Sequence, residues 1–180
     1  MDPIFIWWIG EAAPDRALLD HAALHLARAF GRPVQEWTSP ERPRHAYDPK
    51  RKQHLSGAIL KWLLEAGPGA GKVLGVTDRD LFIPILTYVF GEGQLGGGAA
   101  VVSTARLLED VELIGPQLLL ERLAKEAVHE VGHAFGLLHC ATPVCVMARS
   151  SGVRNVDEKM PELCSECRRR LEELQAGGPR

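Results

Sequence analysis

His129-Glu130-Val131-Gly132-His133-Ala134-Phe135-Gly136-Leu137-Leu138-His139-Cys140-Ala141-Thr142-Pro143-Val144-Cys145-Val146-Met147 is the stretch from which the rest of the chain is read. Residues four apart on a helix share a face, so His129 and His133 can aim their imidazoles at one ion while Glu130 sits beside them without ligating. Gly136 lets the chain leave the helix, because glycine reaches positive φ without steric cost. A sharp turn there returns His139 as a third ligand. Three protein ligands leave one zinc position for water, whose pKa the ion lowers from ~15.7 towards ~7. Glu130 is then the carboxylate placed to take the proton as a carbonyl is attacked.

The spacing of His129, Glu130, His133, Gly136 and His139 matches the metzincin zinc-peptidase pattern in full. Neighbouring residues narrow it: Cys140 comes directly after the third histidine, Cys145 lies five positions on, Met147 stands where the Met-turn belongs, and Cys164-Ser165-Glu166-Cys167 completes a four-cysteine set. This arrangement resembles the archaemetzincins, most strongly over His129 to Cys167. The resemblance implies a zinc metallopeptidase, a hydrolase acting on peptide bonds, with catalytic zinc on His129, His133 and His139 and with Glu130 as the general base. It also implies that Met147 packs beneath the histidines without being a ligand. A bare HExxH pentapeptide occurs on ordinary helices, whereas the added glycine, histidine, cysteines and methionine make coincidence implausible.

The cysteines form two close pairs, Cys140 with Cys145 and Cys164 with Cys167, in a sequence without an export signal. Structural zinc is therefore favoured over two disulfides. A four-cysteine site is closed and tetrahedral, so it would fasten the C-terminal segment to the end of the active-site helix. Two zinc ions per chain are expected, one catalytic and one structural. Because Cys140 adjoins His139, loss of the structural ion should let the third catalytic ligand drift.

Whole-chain properties suit a small enzyme. A chain of 180 residues buries about two-thirds or more of its unfolded surface, and one domain over 1–180 is the default. Within it, a sheet-and-helix part covers residues ~1–136, and a Met-turn and four-cysteine part covers ~137–180. The formal net charge of −2 argues against an electrostatic nucleic-acid binder. The basic run between Arg42 and Lys52 is broken by prolines and reads as a solvated loop. Met1 to Gly10 lacks a basic n-region and is apolar over too few residues for a signal peptide or a spanning helix. A cytoplasmic address, no membrane partner, and a peptide or protein substrate are expected, with a monomer as the default.

Apolar runs alternate with helical patterns. Pro3 to Ile9, Val34 to Trp37, Val73 to Thr77, Tyr88 to Phe90 and Ala99 to Ser103 read as strands. Pro14 to Phe30, with Leu18, Leu19, Ala22, Ala23, Leu26 and Ala27 inward, reads as a helix, as do Gln53 to Ala66, Pro116 to Leu137 and Pro161 to Gln175. The order predicts an α/β fold: a compact metzincin-like domain with a twisted mixed sheet, right-handed crossovers, an active-site helix carrying HExxH, and a C-terminal part tied by the four-cysteine zinc site.

The glycine-rich segment Gly91 to Gly98 has two readings. Either it is a flexible hairpin connection, or, as the resemblance implies, the segment Phe90 to Ser103 presents a sheet edge to an extended substrate. His21 and His25 are also four apart on a helix, but no third ligand stands nearby in sequence, so a surface or packing role is expected. Gly67 to Lys72 is rejected as a phosphate loop, since Ala66 occupies the first glycine position and Val73 replaces the magnesium-binding hydroxyl. Tyr47-Asp48-Pro49 reads as a turn, and Trp7, Trp8, Trp37 and Trp62 as core.

The expected function is zinc-dependent hydrolysis of peptide bonds with narrow specificity, on short peptides or in the manner of an aminopeptidase. The competing reading is a zinc-stabilised peptide-binding or regulatory protein with little general proteolysis. It draws on the lack of a recognisable pro-segment and on the cytoplasmic address. Arg149 stands two residues after the methionine, where some metzincins place a tyrosine. It is either an aid to the transition state or a solvent-facing charge.

Overall fold

Strict alternation decides how the main sheet is buried. Ile4 and Ile6, Leu74 and Val76, and Ala100 and Val102 enter one apolar cluster, while Trp7, Val73, Ala99 and Val101 enter another on the opposite face. A sheet buried on both faces needs helices on both. The structure is a computed structural model that describes residues 2–177.

Its strands are β1 (Ile4–Trp8), β2 (Val34–Glu36), β3 (Tyr47–Asp48), β4 (Gln53–Leu55), β5 (Lys72–Thr77), β6 (Leu81–Phe82), β7 (Gly91–Gly93) and β8 (Ala99–Ser103). Its helices are α1 (Arg16–Phe30), α2 (Ser56–Ala66), α3 (Val111–Ile114), α4 (Gln117–Ala134), α5 (Val153–Glu158) and α6 (Ser165–Gln175). The large sheet runs β2-β1-β5-β8-β7, parallel throughout except for the antiparallel edge strand β7. Helices α1 and α4 cover one face and α2 the other. The C-terminal part joins the first cluster through Val146, Met147, Val156, Leu163 and Leu171.

Local signals mark the ends of α1. The Asp15 side chain accepts a hydrogen bond from the Ala17 N–H at 2.9 Å, and Gly31 closes the helix at φ 62°. Leu18, Leu19, Ala22 and Leu26 are buried as expected; Ala23 and Ala27 are half-buried, and Ala29 and Phe30 complete the face. Trp7 and Trp62 are core, whereas Trp8 and Trp37 lie at its margin. Asp48 accepts from the N–H groups of Lys50 and Arg51 at 2.8 and 3.1 Å and so closes a turn that begins at Pro49, while Tyr47 and Asp48, expected as part of the turn, form β3.

Several expectations are corrected. Gln53 to Leu55 is a strand, β4, which pairs with β3 and β6 in a second sheet of two- and three-residue strands. Within the basic loop, Arg42 and Arg51 are not free solvated charges: Arg42 donates to the Gly10 carbonyl at 2.9 Å, and Arg51 to the Leu86 carbonyl at 2.7 Å. Tyr88 to Phe90 forms only an isolated bridge, Val89 with Leu81, and the edge strand is made by Gly91 to Gly93 instead. Close approach is the reason. A Cβ on Gly93 would stand 2.1 Å from the Glu130 carbonyl oxygen, and one on Gly91 would stand 2.7 Å from Glu130 Cγ. Residues two apart on a strand face the same way, so both glycines open the surface against which α4 lies. Gly93→Ala is expected to cost about 1–3 kcal/mol by overpacking, read as a lower urea midpoint at unchanged m-value.

Candidate functional site

Helix α4 carries His129, Glu130 and His133 on its last turns, and its ending places the third histidine. The Gly136 N–H donates to the His133 carbonyl at 2.8 Å and the Leu137 N–H to the Gly132 carbonyl at 2.9 Å, with Gly136 at φ 99°. This is a Schellman motif, and it stops the helix at Ala134 where the sequence suggested Leu137. The chain turns back, and the His139 ring comes to 5.3 Å from that of His129 and 4.8 Å from that of His133.

The protonation pattern comes from the partners. A carbonyl oxygen only accepts, so His129 donates from Nδ1 to the Val146 carbonyl at 2.8 Å, and His133 from Nδ1 to the Leu137 carbonyl at 2.7 Å. Both Nε2 atoms are left with lone pairs, and they face each other at 3.2 Å. Lone pairs so placed repel unless a cation lies between them. Their spacing is close to the ~3.3 Å that zinc–nitrogen bonds of ~2.0–2.1 Å set in a tetrahedron. Burial lowers the pKa of all three imidazoles, which favours the neutral, ligating form.

Glu130 is buried beside these rings. Desolvation is the main cause that pushes its carboxyl well above the usual range, with Glu126 adding to it and Lys159 and the Gly93 N–H opposing it. Met147, fully buried, places Sδ where a Cβ on Gly132 would meet it at 2.5 Å, so it lies directly against the helix between the two histidines. Arg149 lies exposed at the rim, with Nη2 3.4 Å from His139 Nδ1. These groups line a cleft of about 640 Å³ that is bordered by the edge strand β7.

The four cysteine sulfurs lie within 4.8 Å of one another, with Cys140 and Cys164 at 3.7 Å. That is too far for a disulfide of ~2.05 Å and agrees with the ~3.8 Å that zinc–sulfur bonds of ~2.3 Å require. Backbone N–H groups from Thr142 and Cys164 point at sulfurs at 3.4 Å. The Cys167 N–H is the first cause that lowers the Cys164 thiol to about 7, while burial pushes Cys145 and Cys167 up. Four thiolates this close need a cation to coexist. The two clusters share one segment: the Cys140 N–H donates to the Met147 carbonyl at 2.9 Å, and the Val146 carbonyl orients His129.

The sequence pattern of peptidase family M54 matches residues 69–173. The archaemetzincin of Methanopyrus kandleri is 39% identical over 163 residues, which cover 90% of this chain and 91% of that protein. The chain belongs to peptidase family M54, the archaemetzincins. Membership makes it a zinc metallopeptidase, a hydrolase acting on peptide or protein substrates. The crystal structure of the Methanopyrus kandleri archaemetzincin superposes with a TM-score of 0.84 at 35% identity, covering 97% of this chain and 95% of that one. That of the Archaeoglobus fulgidus archaemetzincin, complexed with malonate, gives 0.79 at 34% identity, covering 92% and 97%. In this archaemetzincin chain no described helix is long and apolar enough to cross a membrane.

A buried ion pair under the site escaped the sequence reading. Lys159, from the loop after α5, donates to Glu126 at 3.1 Å; Glu126 lies one helical turn before Glu130, and both partners are almost wholly buried. Beside it, Arg122 holds Asp157 with two bonds of 2.7 and 2.8 Å, and Lys125 donates to the carbonyls of Val156 and Asp157. Charged residues on a helix face ordinarily signal solvent, and their partners lie more than thirty positions away.

Proposed function

We propose that the protein is a metzincin-type peptidase of narrow specificity, acting in the cytoplasm as a single unit, in which His129, His133 and His139 hold a catalytic zinc and Cys140, Cys145, Cys164 and Cys167 a structural one. The observation that carries this reading is the pair of facing Nε2 lone pairs at 3.2 Å with the Glu130 carboxyl buried beside them. Zinc, when bound, polarises the scissile carbonyl and acidifies a water. Glu130 takes the proton of the attacking water and passes it to the leaving amine. Desolvation suits it to this work, since a carboxyl with a raised pKa is the better proton acceptor.

Substrate is held by backbone. The ladder to β8 uses the Phe90 carbonyl and the Gln94 N–H. By the antiparallel alternation, Gly91 and Gly93 therefore turn their N–H and C=O groups away from β8; the Gly93 N–H goes to the Glu130 carboxyl, and the Gly91 groups and the Gly93 carbonyl face the open edge. An extended peptide pairs there by β-augmentation. Glycines offer no pocket walls, and the exposed side chains of Leu86 and Leu138 border the cleft, which suits short peptides with an apolar residue near the cut bond. The Arg149 guanidinium, at the rim next to His139, is placed to donate to charge that develops on the carbonyl oxygen.

The test is a mixed peptide library with free and blocked N-termini, incubated with zinc-supplemented protein and with Glu130→Ala, and read by product mass. Products that depend on Glu130 support the peptidase reading, and their restriction to free N-termini identifies an aminopeptidase. No such product, with zinc measured in the histidine site, moves the assignment to peptide binding. Separately, Cys164→Ser is expected to lower zinc content by one equivalent and to weaken retention of the histidine-site ion about 10–100-fold, because the segment that orients His129 loses its anchor. Zinc retention against a chelator measures it.

A further inference from the structure

Residues His21 and His25 gain a partner that sequence separation conceals. They are one turn apart on α1, with ring centroids 4.7 Å apart, the same separation as between His129 and His133. Helix α4 packs against α1 more extensively than any other pair of elements. That packing brings Glu121 to the pair, with Oε1 3.4 Å from His21 Nε2. Donor atoms of all three residues lie within 4.8 Å of one another. His21 Nε2 is shielded from solvent and makes no hydrogen bond. Gln117 donates to the same Glu121 oxygen at 2.9 Å, which holds the carboxylate towards the histidines.

We propose that His21, His25 and Glu121 form a third metal site, which takes a zinc-class divalent cation and clips α1 to the helix that carries Glu130. Two imidazoles and one carboxylate are a donor set for zinc, cobalt, nickel or copper. Calcium or magnesium would demand six or more oxygens or a hydrated octahedron, which the three residues do not supply. Zinc–ligand bonds of ~2.0–2.2 Å set donor separations near ~3.3–3.4 Å. His21 and Glu121 already meet that spacing, and the half-buried His25, whose donor atom lies within 4.8 Å of theirs, reaches it by a side-chain rotation.

The site would bind more weakly than the other two. Three ligands leave a coordination position to solvent, and all three residues are only half-buried, so the ion exchanges with the medium. Its place nevertheless matters. Glu121 lies eight residues before His129 on α4, about 12 Å along the helix axis. A cation there ties together two helices of the same apolar cluster without touching the reacting groups.

Zinc content is measured after equilibration of the full chain in a zinc buffer, for the wild type, His25→Ala and Glu121→Gln, and for each of these in a His133→Ala background that empties the histidine site. The expected result is one equivalent fewer for each single substitution than for its parent, in both backgrounds. The wild type should also gain melting temperature as free zinc rises above what saturates the tighter sites, and both variants should lose that last rise. Glu121→Gln keeps the shape of the residue, so a drop there is not a folding failure. Equal zinc content and equal zinc-dependent melting in wild type and variants overturns the proposal and leaves an ordinary histidine–carboxylate contact. The His133→Ala arm separates that failure from any failure of the peptidase reading.

Discussion

Glu130→Gln is expected to lower kcat by roughly 10²–10⁴-fold with KM changed little, while zinc stays in place. The amide keeps the shape and burial of the carboxylate and removes only the capacity to take and return a proton. Glu130 is not counted among the metal-facing groups: the lone pairs that face each other at 3.2 Å belong to His129 and His133. An interaction made only as the proton moves affects kcat and kcat/KM alike. Steady-state kinetics on a peptide identified in the library, together with zinc analysis of the variant, checks the result. Loss of zinc along with activity would assign Glu130 to the metal site instead, and unchanged turnover would remove it from the chemistry.

Lys159→Met is expected to destabilise the protein by about 3–5 kcal/mol, since removing one partner of a buried ion pair strands the other. For a chain of this size that corresponds to a fall in melting temperature of roughly 6–20 °C. Glu126 is the stranded group. Burial pushes its carboxyl pKa up, and the Lys159 ammonium at 3.1 Å is the main influence that holds it down. A second substitution distinguishes a lost charge pair from lost packing: Glu126→Leu in the Lys159→Met background should recover most of the stability, because two apolar residues in place of a buried ion pair cost little. Thermal unfolding of the wild type, both single variants and the double variant gives the coupling. Additive losses would show that the pair does not act as a unit. Lys159 also opposes the upward shift of Glu130, so its removal should raise that carboxyl further.

The site was legible in the sequence because its devices are local. A histidine pair four apart, a glycine that ends the helix in a Schellman turn, and two tight cysteine pairs each act over a few residues, where helical periodicity and positive φ dictate what meets what. The alternating strands Ile4–Trp8, Lys72–Thr77 and Ala99–Ser103 were legible for the same reason, since a pleat that is buried on both faces needs apolar residues at successive positions. The short strands β3, β4, β6 and β7 and the six-residue α5 carry too little of a period to be read and were missed, whereas the three-residue β2 lies within the expected Val34 to Trp37.

Propensity pointed to Tyr88–Phe90 as a strand, yet the strand lies on Gly91–Gly93. There, the approach of α4 outweighs side-chain preference, and at positions 91 and 93 a Cβ would collide with α4. Local spacing sufficed to single out the histidine and cysteine groups that come together and to indicate the α/β architecture. The packing of distant segments was needed to bring β7 to the border of the cleft, the Val146 carbonyl to His129, Lys159 to Glu126, and Glu121 to His21. Each of these depends on segments far apart in the chain crossing at a set distance. Local periodicity carries no information about such crossings; they are set by how two faces of one sheet are packed.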